Sequence, residues 1–155
     1  LGLHDLGITS GCSLNGFCPE RTVTRAEMAA FLVRALGLSA AEGANPFVDV
    51  DGHALEAEIS ALQASGITGG CTPTRFCPER AVTRAEMAAF VVRGFGSASA
   101  EATPFVDTDG HFFEAEISTL RAKGITGGCT PTQFCPERAV TRAEMAAFLI
   151  RALAS

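Results

Sequence analysis

Three arginines, Arg25, Arg84 and Arg142, stand at the second position of a repeated Thr-Arg-Ala-Glu phrase, each where a helix should begin. A guanidinium offers a planar fork of N–H donors, and a helix start adds backbone N–H groups, so the pair suits a carboxylate or a phosphate. A cation there also opposes the helix dipole, at a cost of about 0.5 kcal/mol. Two readings stand. Each arginine binds an external anion, or it pairs with a carboxylate of its own chain, for which Glu20, Glu79 and Glu137 are nearby candidates. Glu27, Glu86 and Glu144 read as capping residues. With Thr24, Thr83 and Thr141 they form capping boxes, threonine on the third backbone N–H and glutamate reaching back, worth on the order of 1 kcal/mol each.

The other reactive side chains point to structure. Six cysteines fall into three pairs with five residues between them, Cys12/Cys18, Cys71/Cys77 and Cys129/Cys135. Zinc would favour a two-residue spacing with a second pair or histidines close by, so three local disulfides are expected and no metal. Each closes a small loop, for which the chain-entropy argument gives roughly 2 to 3 kcal/mol. Such bonds persist outside a reducing cytoplasm, which predicts an exported protein. Asp49-Val50-Asp51-Gly52 and Asp107-Thr108-Asp109-Gly110 have the look of calcium loops, but Phe47 and Phe105 stand where the first carboxylate belongs. One aspartate of each is expected to cap a helix and the other to line a turn. His53 and His111 beside them read as hydrogen-bonded structural residues. With no serine in a nucleophile elbow and the cysteines paired, neither catalysis nor a cofactor is expected.

These residues are carried by a tandem repeat. Equivalent loops begin at Cys12, Cys71 and Cys129, 59 and 58 residues apart. A whole unit runs PFVDxDGH, a first helix, GITGGC, a loop, FCPER and the TRAE helix. Residues 1–38 form a shortened first unit, since Leu3 aligns with Leu62 and Gly7 with Gly66. Residues 46–96 and 104–155 form two whole ones, which gives five helices where three whole units would give six. Met28, Phe31, Leu32 and Ala35 make the apolar face of the first TRAE helix; Leu55, Ile59 and Leu62 make that of a first helix. Gly66-Ile67 and Gly124-Ile125 should close the first helices, with Phe17, Phe76 and Phe134 as core plugs. At 155 residues the units are expected to share one core as a single compact domain.

Net charge is −5, and Lys123 is the sole lysine among 12 basic residues, which argues against nucleic-acid binding and for fixed guanidinium forks. Without Trp or Tyr, only Phe and His could stack on a sugar. No signal peptide or apolar run of spanning length is present, so a mature or trimmed polypeptide that does not insert into a membrane is expected. Thr72-Pro73-Thr74 and Thr130-Pro131-Thr132 could carry O-linked sugar.

The phrases PFVDVDGH, AEI-x-x-L, GIT-x-G, Phe-x-Pro and VTRAEMAAFLVRAL, in this order over nearly the whole chain, resemble the S-layer homology domain in its cysteine-bearing actinobacterial form. The resemblance implies an all-α fold of helix-loop-helix repeats around a pseudo-threefold axis, with disulfide-closed loops. It also implies an extracellular, wall-bound module. The implied partner is an acidic secondary wall polysaccharide, often pyruvylated, with Arg25, Arg84 and Arg142 as its binding residues. Ala54 and Phe112 stand where many members have Trp. A second expectation is a structural subunit of a surface layer or fibre that self-associates through the incomplete first repeat.

Overall fold

The computed structural model describes residues 16–39, 45–96 and 103–154. Among these the fold is all-α, with five helices: α1 (Arg25–Leu36), α2 (Glu56–Ala64), α3 (Arg84–Phe95), α4 (Glu114–Ala122) and α5 (Arg142–Ala154). Extended backbone among them is limited to isolated bridges such as Thr24 with Ala81 and Thr83 with Ala139. Leu3 and Gly7, which align with Leu62 and Gly66 at the end of a first helix, and Cys12 lie outside the described residues. The chain divides into two units, residues 1–18 with 23–81, and residues 19–22 with 82–155. In the first, α1 packs on α2; in the second, α3 packs on both α4 and α5.

Met28, Phe31 and Leu32 of α1 are buried, as their spacing predicts, and so is a second face of Ala26, Ala29, Ala30 and Val33. Single-stripe amphipathicity therefore understates the burial, because alanines on the other face let a neighbour approach closely. The corresponding Ala85, Ala88, Ala89 and Val92 of α3 are buried too. On α5 the first stripe (Met145, Phe148, Leu149) is buried, whereas Ala143 is exposed and Ala146, Ala147 and Ile150 are half-buried.

Both first helices stop as Gly-Ile predicts. Gly66 has φ 74° and donates to Gln63 O at 3.1 Å, while Ile67 donates to Leu62 O at 3.0 Å. These two bonds satisfy carbonyls that the helix end leaves open, and Ile67 is buried against the last turn. Gly124 and Ile125 repeat the arrangement.

The starts of these helices differ from expectation. Leu55 and Phe113 are the N-caps, and neither makes a side-chain cap bond. Asp49 serves the disulfide loop instead, accepting from Phe76 N at 2.9 Å and Cys77 N at 2.8 Å, and Asp107 does the same for Phe134 N and Cys135 N. The helix entry falls to histidine. His53 Nδ1 accepts from Leu55 N at 3.0 Å, which leaves Nε2 as the nitrogen that donates to Glu79 at 2.8 Å. The same pairing joins His111 to Glu137. Sequence spacing places the aspartates next to the helix but carries no information on the loop that folds back some 27 residues later.

Each loop of the two whole repeats is held from several sides. Cys71–Cys77 and Cys129–Cys135 are disulfide-bonded, both with Cα atoms 6.1 Å apart. Two of the three expected disulfide pairs are thus whole among the described residues. Of the remaining pair, Cys12/Cys18, only Cys18 is described, because Cys12 falls outside the described residues. Cys18 is disulfide-bonded, and its backbone, at φ 54°, matches that of its counterparts Cys77 and Cys135. Those two have φ of 57° and 59°, a left-handed conformation costly for a side chain, and the aspartate bond to each cysteine N–H helps hold it. Phe76 and Phe134 are fully buried, and Phe76 packs on Phe47 with centroids 5.6 Å apart. Gly128, at φ 89°, fits under this loop only because it lacks a Cβ. That atom would lie 2.5 Å from Phe105 Cε1 and from Thr130 O, and 2.6 Å from Gln133 O. Gly128→Ala is therefore expected to destabilise the protein by at least about 3 kcal/mol, from backbone strain plus overpacking, as read by urea denaturation. A loss below about 1 kcal/mol would show that the loop gives way.

Candidate functional site

The sequence places an anion at a bare helix start, but the backbone of these starts is already occupied. Arg84 N donates to Arg138 O and Ala85 N to Pro136 O, both at 2.9 Å. Glu86 N donates to Thr83 Oγ1 at 3.1 Å, Met87 N to Thr83 O at 2.9 Å, and Thr83 N to Glu86 Oε1 at 3.2 Å. All four N–H groups that a helix start leaves open are satisfied. The same scheme holds for α1, whose Arg25 N and Ala26 N bond to Arg80 O and Pro78 O, and for α5, whose Arg142 N and Ala143 N bond to Arg21 O and Pro19 O. In each case the carbonyls come from a Cys-Pro-Glu-Arg turn of another repeat. The N–H half of the expected anion site is thus absent, and what remains is the guanidinium.

Those guanidiniums are buried: Arg25 and Arg142 are 2 % exposed and Arg84 is 3 % exposed. Arg25 Nε donates to Phe76 O at 2.7 Å with its charge 4.7 Å from the Phe76 ring centroid. Arg84 repeats this on Phe134, at 2.7 Å to the carbonyl and 4.6 Å to the ring. Carbonyl and ring face together offset the unfavourable placement at a helix start. The TRAE arginine therefore clamps its helix to a disulfide loop of the next repeat.

Around Arg84 the surroundings continue outward. Arg84 Nη1 forms a short bond to Glu144 Oε2, which also accepts from Arg138 Nη2 at 2.6 Å. Glu144 Oε1 accepts from Thr141 N at 3.4 Å and from Thr141 Oγ1 at 3.2 Å, so one carboxylate caps α5 and joins two guanidiniums. Burial pushes the Arg84 guanidinium below its ordinary value, against the pull of Glu144. For Glu144, burial pushes upward, but the bond from Arg138 and the charge of Arg84 outweigh it and hold the carboxyl low. The internal partner of Arg84 is thus Glu144, whereas Glu79 and Glu137 are engaged by the histidines.

A cavity of about 310 Å3 opens beside this cluster. Its lining combines the charged Arg84, Glu144 and Arg151, residues 126–128, and the apolar Ala143, Ala147 and Phe148. Two of its lining residues, Ala143 and Ala147, belong to the face of α5 that is less covered than its counterpart on α3. Nε and Nη1 of Arg84 are engaged, Nη2 makes no hydrogen bond among the described residues, and none of the described side-chain nitrogens or oxygens is both buried and unpaired. Nη2 is therefore the donor that a ligand can reach. Arg151 Nη1 donates to Ile125 O at 3.1 Å, which fixes a second guanidinium among the lining residues. Sequence reasoning missed Arg138 and Arg151. Their signal was recurrence, as Arg21 and Arg80, and as Arg34 and Arg93. Phe112, 88 % exposed, lies edge-on to Phe113 with centroids 4.9 Å apart. Among the described residues no three His, Cys, Asp or Glu cluster to hold a metal, and no helix is long and apolar enough to cross a membrane.

The description "S-layer homology domain" belongs to the family model that matches residues 46–88 and 104–146. A cellulosome-anchoring protein of Acetivibrio thermocellus is 30 % identical over 148 residues, covering 88 % of this chain and 33 % of that protein. An S-layer protein of Bacillus thuringiensis subsp. finitimus is 28 % identical over 155 residues, 96 % of this chain and 19 % of that protein. An endoglucanase of a Bacillus species is 38 % identical over 93 residues, 60 % of this chain and 10 % of the enzyme. The chain thus spans a third or less of each of these relatives. Matches to both whole units, with the TRAE helices and GIT turns in their expected places, show that the chain belongs to the S-layer homology family.

Proposed function

We propose that the chain is a non-catalytic, extracellular module that binds an acidic polysaccharide of the cell wall and so holds an exported protein at the cell surface. The observation that carries the reading is Arg84, a buried cation whose Nη2 has no hydrogen bond among the described residues, in a cavity also lined by the guanidinium of Arg151. A sugar carboxylate at Arg84, with the ring against the Ala147 and Phe148 side chains, matches charge to charge and apolar face to apolar face. A neutral sugar offers Arg84 only hydroxyl oxygens, which pair with a guanidinium more weakly than a carboxylate does. Relatives named for cellulosome anchoring and for surface layers support the surface role. The endoglucanase matches over a tenth of its length, as a shared anchoring segment would. Arg25 and Arg142 extend the proposal to three weak sites acting together.

The test is salt and ligand chemistry. Binding to isolated wall polymer is expected to weaken about tenfold between 50 and 500 mM salt, and on removal of the polymer's ketal or phosphate groups. Binding indifferent to both would overturn an acidic ligand.

A further inference from the structure

We propose that Glu144 is an internal competitor for the acidic ligand, a carboxylate that holds the ligand's place on Arg84 until a sugar acid displaces it. The inference rests on the acidic-polysaccharide reading and adds a specificity-determining residue to it.

Three observations carry the proposal. Glu144 lines the same cavity as Arg84 and Arg151, with 23 % of its side chain exposed, so an entering anion meets it directly. Its Oε2 occupies the Nη1 edge of Arg84 and is shared with Arg138. A ligand carboxylate that engages Arg84 through both Nη1 and Nη2 therefore competes with this oxygen for Nη1. Finally, the displaced oxygen has somewhere to go, because Arg138 remains as its partner at a side-chain exposure of 53 %, and Oε1 keeps its bonds to Thr141. Displacement exchanges one ion pair for another and strands no buried charge, which makes the step accessible.

The consequence is selectivity. A neutral sugar hydroxyl cannot outcompete a carboxylate for a guanidinium, so Glu144 keeps Nη1 of Arg84 from neutral glycans, leaves them Nη2 alone, and yields Nη1 to anions. The carboxylate also sits close enough to an incoming anion to weaken its binding by direct repulsion.

Glu144→Gln separates these roles. Glutamine keeps the volume and an amide oxygen for the Thr141 cap, but removes the charge that competes. The probe is a methyl hexoside carrying a 4,6-linked pyruvate ketal, with the same hexoside lacking the ketal as the neutral comparison, titrated by NMR. Glu116→Gln on α4, outside the residues that line the cavity, controls for the change in net charge. The proposal expects Glu144→Gln to bind the ketal sugar about tenfold tighter than the unaltered protein and to gain measurable affinity for the neutral sugar, with Glu116→Gln unchanged. If the unaltered protein binds the ketal sugar and Glu144→Gln binds it equally or more weakly, Glu144 is not a competitor, and the acidic-ligand reading stands without it. If neither protein binds the ketal sugar at millimolar concentration, both readings fall together.

Discussion

Arg84→Ala is expected to destabilise the protein by about 3 kcal/mol and to remove the largest part of its affinity for wall polymer. The stability loss follows from what the guanidinium holds. Its Nε bond is a charge-assisted partner for the buried carbonyl of Phe134, and its face lies on the Phe134 and Phe148 rings. Truncation leaves that carbonyl unpaired and opens space between two aromatic rings. Glu144 still has Arg138, which keeps the cost at the lower end of the range for a broken buried ion pair. Arg84→Lys should recover less than half, because an ammonium cannot serve the carbonyl, Glu144 and a ligand from three directions of one plane. Urea denaturation reads the first effect, and polymer binding below the unfolding transition reads the second. A variant as stable as the parent would show that the clamp carries no load.

The second large effect belongs to Asp49 and Asp107. Each accepts two backbone N–H groups of a disulfide loop, and bonds to a charged acceptor contribute about 1.5 to 3 kcal/mol each, so either Asp→Ala change is expected to cost about 3 kcal/mol. Asn retains one acceptor oxygen and should lose about half as much. A pH dependence comes with it. Burial pushes the Asp49 carboxyl up, but the N–H groups of Phe76 and Cys77, helped by Arg75, outweigh it and hold the carboxyl below its ordinary 3.8. A lowered folded-state value means stability that is fully present above pH 4 and is lost as pH falls through the folded-state value. The gap between parent and Asp49→Ala should therefore narrow in acid, and a gap constant from pH 6 to pH 2 would contradict the assignment.

Much of this was legible because it is local. The repeat, the TRAE helices, the Gly-Ile stops and the buried Phe76 and Phe134 each follow from residues within a turn or two of one another. The cysteine pairs are local as well, and Cys18, like Cys77 and Cys135, is bonded and left-handed. The unread part is long-range. Nothing in the sequence says that Pro136 and Arg138 present carbonyls to the start of α3, and that pairing is what removes the backbone half of an anion site at Arg84. Asp107 sits three residues from Gly110, which invites a calcium or capping reading, yet its partners lie 27 and 28 residues on. Glu144 was legible as a cap but not as the partner of Arg84, 60 residues away. His53 and His111 were read as structural residues, and their task as helix-entry acceptors emerged with the fold.

Co-sedimentation with purified actinobacterial wall sacculi, untreated or stripped of secondary polymer, tests the anchoring role most directly, with Arg84→Ala measured alongside under conditions where it remains folded. The unaltered protein is expected to pellet with untreated sacculi and stay in solution with stripped ones, and Arg84→Ala to lose most of the binding. Protein that remains in the supernatant with untreated sacculi, or pellets equally with both, would contradict that role.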